Sequence, residues 1–261
     1  MSEGIKKNNR EKGGLDTPRA IVIAACVISI GLGLGLAFSG SNGSNGSANV
    51  AQAPGGYPPA AAPTTAEDVV AQYIDLATKE HNVNKSELEA CIENGEVEEF
   101  INGELAYARD QRGIGGTPNS VIVAPGGSQY ISVPGFVRDY RVLAEIARMM
   151  IDEGSFIVPD GVETSFPEVE PLEIRPDDFV YGNPDAPVKI VEFSDFSCGF
   201  CGAFHPVMEQ LVDENPDDIA WVYRHLPYQR LGFEKAVVAE CVGRIDGNDA
   251  FWEYAHDAFQ L

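Results

Sequence analysis

The stretch Val188-Lys189-Ile190-Val191-Glu192-Phe193-Ser194-Asp195-Phe196-Ser197-Cys198-Gly199-Phe200-Cys201 decides how this chain is read. Its first six residues are a mostly apolar run of strand length, and the segment from Gly199 reads as the opening of a helix. Two thiols three residues apart at such a junction form a thiol–disulfide exchange site. Cys198 is expected to be the exposed attacking thiol, because the unpaired N–H groups and axial dipole at a helix start favour a thiolate. Cys201, a turn inward, is then the resolving thiol that closes the disulfide after a mixed intermediate.

Working outward, strand 188–193 is followed by a helix over 199–213, a strand over 219–225 and helices over 232–243 and 249–259. Strand–helix–strand spacing of this kind fits a parallel crossover in an α/β fold. The last segment reaches Leu261 without a Gly, Asn or Pro stop signal. Upstream, residues 154–186 are rich in Pro, Asp and Glu. They read as an acidic connector, 154–170, leading into a second block, 171–261, with a short edge strand around Leu172-Glu173-Ile174.

A first block covers residues 65–153. Thr64-Thr65 with Glu67 caps an amphipathic helix that carries Val69, Val70, Tyr73, Ile74 and Ala77. Asn84 or Ser86 opens a short helix with Leu88, Cys91 and Ile92, and a third helix spans 96–112. Ser120-Val121-Ile122-Val123, the turn Ala124-Pro125-Gly126-Gly127 and Tyr130-Ile131-Ser132-Val133 form a hairpin. A helix over 137–151 closes the block.

The rest of the chain speaks to location. A basic tail, residues 1–19, precedes nineteen uncharged residues, 20–38, which as a helix would rise about 28 Å and just span a bilayer's hydrocarbon core. The positive flank should stay in the cytoplasm, so the signal-anchor reading puts everything after Ser39 outside, with lipid as the partner of residues 20–38. A cleaved signal peptide ending at Ala37-Phe38-Ser39 and a lipoprotein box at Ile23-Ala24-Ala25-Cys26 are the alternatives. Residues 39–64, Ser/Asn/Gly repeats and then Pro/Ala, form a flexible tether with glycosylation triplets at Asn42 and Asn45. The formal net charge is −22, and only three of the acids and five of the bases precede residue 40. A field of that sign argues against nucleic acid as a partner and favours solubility at high ionic strength. Besides Cys26, the cysteines are Cys91, Cys198, Cys201 and Cys241, an even number that permits a second disulfide in an oxidising compartment.

Taken together, Asn183-Pro184-Asp185-Ala186-Pro187, the strand and Cys-Gly-Phe-Cys segment, Tyr223-Arg224-His225-Leu226-Pro227 and Phe251-Trp252-Glu253-Tyr254 resemble the first half of the DsbA-like branch of the thioredoxin superfamily. Leu88-Glu89-Ala90-Cys91-Ile92-Glu93-Asn94-Gly95 and Gly113-Ile114-Gly115-Gly116-Thr117-Pro118-Asn119-Ser120 resemble its second half, placed earlier in this chain. The resemblance implies one thioredoxin-like domain with an inserted helical domain, its segments in permuted order, behind an N-terminal transmembrane helix. Pairing of halves between two chains, or truncation from tandem domains, would give the same order.

The resemblance also implies roles. Glu192 would lie beneath the pair and relay the proton of Cys201; a solvent-exposed carboxylate at a strand edge is the simpler reading. Thr117 and Pro118 would face the cysteines, with a cis proline leaving Thr117 main-chain groups free to align an extended substrate. Cys91 and Cys241, both on helices of the inserted domain, would form a structural disulfide or stay as buried free thiols. No metal or other cofactor is implied. Zinc held by Cys198, Cys201 and His205 lacks a fourth ligand nearby, and His205 is expected on the surface or groove of the active-site helix. His225, within an apolar strand, is expected to pack or cap rather than react.

The implied activity is that of a membrane-anchored, extracytoplasmic protein thiol–disulfide oxidoreductase. It would act on exported proteins with thiols or disulfides and be served by a membrane redox partner. Gly199-Phe200 bears no charge and lacks the imidazole that strongly oxidising relatives place between their cysteines, so oxidase, reductase and isomerase stay open, as does a redox-inactive protein-binding module.

Overall fold

Strand β4 (Val188–Ser194) and strand β5 (Ile219–His225) run parallel, Val188 opposite Ile219 and Ser194 opposite His225. Every residue of β5 and all of β4 but Lys189 are buried, as near-continuous apolar strands require when both sheet faces are covered. The computed structural model from which this follows describes residues 65–127, 130–155, 157, 164 and 172–261. The basic tail, the expected membrane anchor, the tether and nearly all of the acidic connector lie outside the described residues. No helix among the described residues is long and apolar enough to cross a membrane.

The first block supplies two more strands. Strand β1 (Asn119–Val123) lies antiparallel to β4, Asn119 opposite Phe193 and Val123 opposite Lys189. On its other side it pairs with β2 (Tyr130–Pro134). A short β3 (Phe179–Tyr181) closes the far edge antiparallel to β5, giving the order β2-β1-β4-β5-β3. One five-stranded mixed sheet is thus built from both blocks, and β1 against β4 is their seam.

Side chains alternate across this sheet with the period of two that strands impose. Ile122, Val188, Ile190, Trp221 and Tyr223 point to one face, into the main core. Val121, Val123, Val191, Phe193 and Val222 point to the other, which is closed by Ala108, Ile114 and Leu172.

Among the described residues seven α-helices accompany the sheet: α1 (Ala66–Lys79), α2 (Lys85–Glu93), α3 (Glu96–Ala106), α4 (Arg141–Asp152), α5 (Gly199–Asp213), α6 (Gly232–Asp246) and α7 (Asn248–Ala258). A thioredoxin-like α/β domain with extra helices is therefore present. Helices from the two blocks are fastened together. The Tyr73 hydroxyl donates to the Ala258 carbonyl (2.9 Å), and the Tyr254 hydroxyl donates to the Tyr73 carbonyl (3.1 Å). A disulfide joins Cys91 on α2 to Cys241 on α6, 150 residues apart in sequence.

Four details differ from the sequence reading. At α1 the Thr65 hydroxyl accepts from Asp68 N–H and the Asp68 carboxylate accepts from Thr65 N–H, so Asp68 rather than Glu67 completes the capping box. The expected helix 96–112 ends as α at Ala106 and continues as a π turn over Tyr107–Gln111, which buries Ala108 against the sheet. The helix expected from residue 137 begins at Arg141, where the Asp139 side chain takes up the Arg141 N–H and guanidinium. The edge strand is at Phe179–Tyr181, not at 172–174. Leu172 is instead drawn into the second core, and the Glu173 carbonyl accepts from the Arg224 guanidinium.

One buried charge network lies where residues 175–178 meet α3 and β5. The side chains of Arg224 and Asp178 pair at 2.7 Å, and Arg175 joins Asp178 to Glu104 of α3. Partnered in this way, buried charges hold the start of the second block against the first.

The Cys91–Cys241 bridge closes a long loop, so replacing both cysteines with alanine should lower stability to urea by about 2–5 kcal/mol. An unchanged unfolding midpoint would show that the bridge does not constrain the unfolded chain.

Candidate active site

Strand β4 delivers the chain to a turn, Asp195-Phe196-Ser197, that sets the dithiol at the start of α5. Asp195 organises this turn. Its buried carboxylate accepts from Ser197 N–H (2.8 Å), Tyr228 N–H (2.8 Å) and Gln229 N–H (2.6 Å). Its carbonyl accepts from Cys198 N–H (2.9 Å). The loop before Cys198 is thereby bolted to the loop after β5. Gly232 is part of the same fit, since a Cβ there would sit 2.3 Å from Asp195 Oδ1.

Asp195 was missed in the sequence reading; the only signal was one acid just past an apolar strand. Burial and three convergent N–H donors give it its role as an anchor of the turn.

Cys198 occupies the N-cap position of α5 in extended conformation, and Cys201 lies in the first turn. Cys198 retains 7 % of its surface and Cys201 none, so the site is less open than the sequence suggested, although Cys198 is still the outer sulfur. Both are thiols in this structure. Their electrostatic environments are opposite. A hydrogen bond from the Cys201 thiol, reinforced by the N–H groups of Cys201 and Phe200 at the helix start, lowers Cys198 to about 5. Burial raises Cys201 far above the ordinary thiol range.

Glu192 is 1 % exposed, and its Oε2 has no hydrogen-bond partner. It is not the solvent-exposed strand-edge carboxylate of the simpler reading. Burial raises it to about 8, against smaller opposing contributions from the Ser194 and Trp221 side chains. The charge of Cys198 adds to the rise of Glu192, and the charge of Glu192 adds to the rise of Cys201.

The opposite wall comes from the first block. Thr117–Pro118 is a cis peptide immediately before β1, and the Cys198 thiol donates to the Thr117 carbonyl at 3.5 Å. The β1–β4 register accounts for this approach, because pairing Asn119 with Phe193 carries Thr117-Pro118 to the end of β4 where the cysteines begin. Two exposed aromatic side chains stand in this region, Phe200 between the cysteines (67 %) and Tyr228 on the loop held by Asp195 (49 %).

The remaining candidates fall elsewhere. Cys91 and Cys241 are the disulfide described above. His205 is buried at 1 % exposure, packed by Trp221 and Phe259, not on a surface or groove as the sequence suggested. Two turns into α5, it faces the aromatic core. Among the described residues it does not gather with Cys198 and Cys201 as a ligand set. His225 is buried with Nε2 3.2 Å from a Glu240 carboxylate oxygen.

A strand, a dithiol at a helix start and a proline loop across from it define a thioredoxin-superfamily domain in the C-terminal part of the chain. A protein-family model described as thioredoxin matches residues 175–261. Partial similarity extends to proteins named as Na(+)/H(+) antiporters. NhaA 1 of Mycolicibacterium gilvum (strain PYR-GCK) is 35 % identical over 85 residues, 31 % of this chain and 13 % of that protein. NhaA 1 of Salinispora arenicola (strain CNS-205) is 38 % identical over 87 residues, 33 % of this chain and 13 % of that protein. NhaA 3 of Salinispora tropica (strain ATCC BAA-916 / DSM 44818 / JCM 13857 / NBRC 105044 / CNB-440) is 40 % identical over 88 residues, again 33 % and 13 %. The chain therefore spans only a small fraction of the length of these relatives.

Two pH dependences follow. Alkylation of Cys198 in the reduced protein should run at full rate above its lowered pKa and fall with a midpoint near pH 5. A midpoint near 8.5, that of an ordinary thiol, would remove the proposed activation. For Glu192 the folded pKa is raised, to about 8, above an unfolded value of about 4.3. Its contribution is thus full below the unfolded value and is lost as pH rises through 8. Glu192→Gln should therefore gain thermal stability over wild type progressively between about pH 4 and pH 8, as followed by circular dichroism. Parallel curves for the two proteins would contradict the shift.

Proposed function

We propose that the chain is a membrane-anchored protein thiol–disulfide oxidoreductase, acting outside the cytoplasm as an oxidase of exported proteins. The observation that carries this reading is the pairing of a low-pKa Cys198 at a helix start with the Thr117-Pro118 loop across from it. In the oxidising direction a substrate thiolate attacks Sγ of Cys198 in the Cys198–Cys201 disulfide. The sulfur–sulfur bond breaks, Cys201 leaves as a thiolate, and Glu192 supplies its proton. A second substrate thiolate then attacks the substrate sulfur of the mixed disulfide and expels Cys198. The substrate loses two electrons and gains a disulfide, and the enzyme pair becomes a dithiol. A thiol of pKa about 5 is a good leaving group, which favours this direction. A membrane redox partner would accept the two electrons and restore the disulfide.

Thr117 main-chain groups would align an extended substrate segment beside the cysteines, with Phe200 and Tyr228 as its apolar contacts. The finer family assignment is a DsbA-like domain in permuted order, with residues 65–153 as its second half and 171–261 as its first. Support comes from the β1–β4 seam, which seats the early block against the late one. Residues 20–38 would anchor the chain in the membrane. The partial similarity to proteins named as antiporters is consistent with work at a membrane surface.

Oxidative refolding of a reduced, unfolded test protein measures the function. The oxidised chain should restore substrate disulfides stoichiometrically, and Cys198→Ser should abolish transfer. Cys201→Ser, mixed with the disulfide-bonded form of the test protein, should accumulate a mixed disulfide visible on non-reducing gels, as Cys198 attacks a substrate disulfide and releases one substrate thiol. Full turnover by Cys198→Ser would refute the assignment. Substrate binding without thiol transfer would make the domain a redox-inactive binding module, and disulfide reshuffling or reduction without net formation would make it an isomerase or reductase.

A further inference from the structure

We propose that His205 and Glu209 on α5, together with His256 on α7, form a binding site for one divalent transition-metal ion of the zinc class. The site stands apart from the dithiol and has no part in the exchange chemistry above.

His205 and Glu209 are four residues apart on one helix and so share a face, while α7 brings His256 alongside. Glu209 Oε1 lies 3.4 Å from His205 Nε2 and 3.0 Å from His256 Nδ1. All three donor atoms fall within 4.8 Å of one another. Ligands bound tetrahedrally at about 2.0–2.1 Å from zinc are about 3.3 Å apart, so both contacts to Glu209 are near the required spacing and the exposed His256 would close the remaining gap to His205.

A hydrogen bond between Glu209 and His256 accounts for that pair alone. His205 Nε2 faces the same Glu209 oxygen at 3.4 Å, an ion pair only when the imidazole is protonated, and its Nδ1 has no partner. This imidazole is 1 % exposed, and neither ring nitrogen has a hydrogen-bond partner. Trp221 and Phe259, with ring centroids 4.9 Å and 5.0 Å away, fix the plane of its ring and direct Nε2 toward Glu209. A buried imidazole held by one long contact to a carboxylate is under-satisfied, and a metal ion shared with Glu209 would take the Nε2 lone pair.

The donor set selects the metal. Two imidazoles and one carboxylate suit zinc, cobalt, nickel or copper, whereas calcium and magnesium take oxygen ligands. Three protein ligands leave a position free. Glu209 and His256 also line an open pocket of about 550 Å³ with His81, Tyr181 and Trp252, from which water or a small anionic ligand would complete the coordination. The ion would clamp the helix that carries the dithiol to α7, and the chain's strongly negative charge would draw cations toward it.

The test uses the full chain with Cys26→Ser, Cys198→Ser and Cys201→Ser, so that the remaining cysteines, Cys91 and Cys241, are held in their disulfide and no thiol competes for metal. Equilibrium dialysis against Zn²⁺ should give one ion per chain, and Co²⁺ should give the intense visible bands of four-coordinate nitrogen and oxygen ligation. Adding His256→Ala or Glu209→Gln, both at partly exposed positions, should each weaken Zn²⁺ binding at least tenfold while far-UV circular dichroism is unchanged. Absence of stoichiometric uptake would overturn the proposal. So would uptake that neither substitution weakens, since the ions would then be held by the general acidic surface.

Discussion

The antiparallel ladder between β1 and β4 is the constraint on which the rest of the structure depends. It joins strands from blocks separated by the acidic connector, and its register alone places Thr117-Pro118 beside Cys198. A slip of one residue would turn Ile122 and Val121 to the wrong faces, exchanging their two cores and moving the proline loop away from the sulfurs. Hydrophobic alternation therefore fixes the sheet and the site at once. The tyrosine hydroxyls, the Cys91–Cys241 bridge and the buried Arg224–Asp178–Arg175–Glu104 network hold the same two blocks together at other points.

Within the site, depth separates the chemistry of two otherwise identical side chains. Cys198 ends the exposed side of a helix start and is surrounded by donors, so its charged form is favoured. Cys201 is one turn inside, where there is no water to solvate a thiolate, and it stays protonated. Glu192 shares that interior and is itself raised toward neutrality. A carboxyl raised to about 8 holds its proton at neutral pH, as a surface glutamate does not, and this is what the proposed proton relay to Cys201 requires. Asp195 shows the contrasting use of a buried acid: its oxygens are filled by backbone donors, so it positions the turn that carries the dithiol.

Much of the fold was legible because periodicity and cap chemistry are local. The strands at 188 and 219, the helix opened by the dithiol and the Asn84 cap follow from residues within one or two turns of each other. The misplacements have a common cause in contacts from outside the segment. Leu172 left its expected strand for a place in the second core, and a π turn replaced the end of a helix where Ala108 meets the sheet. No spacing rule reports which distant residue will fill a face.

By itself the sequence determined the exchange motif, the order of most helices and strands and the acidic character of the chain, because each is written in neighbouring residues or in composition. The tertiary structure alone decided that Thr117 touches Cys198, that Asp195 anchors the active turn, that Glu192 is buried and that His205 meets Glu209 and His256. These relations join residues far apart in the chain, and the energy that selects them comes from burying two sheet faces together, which exists only once the strands have paired.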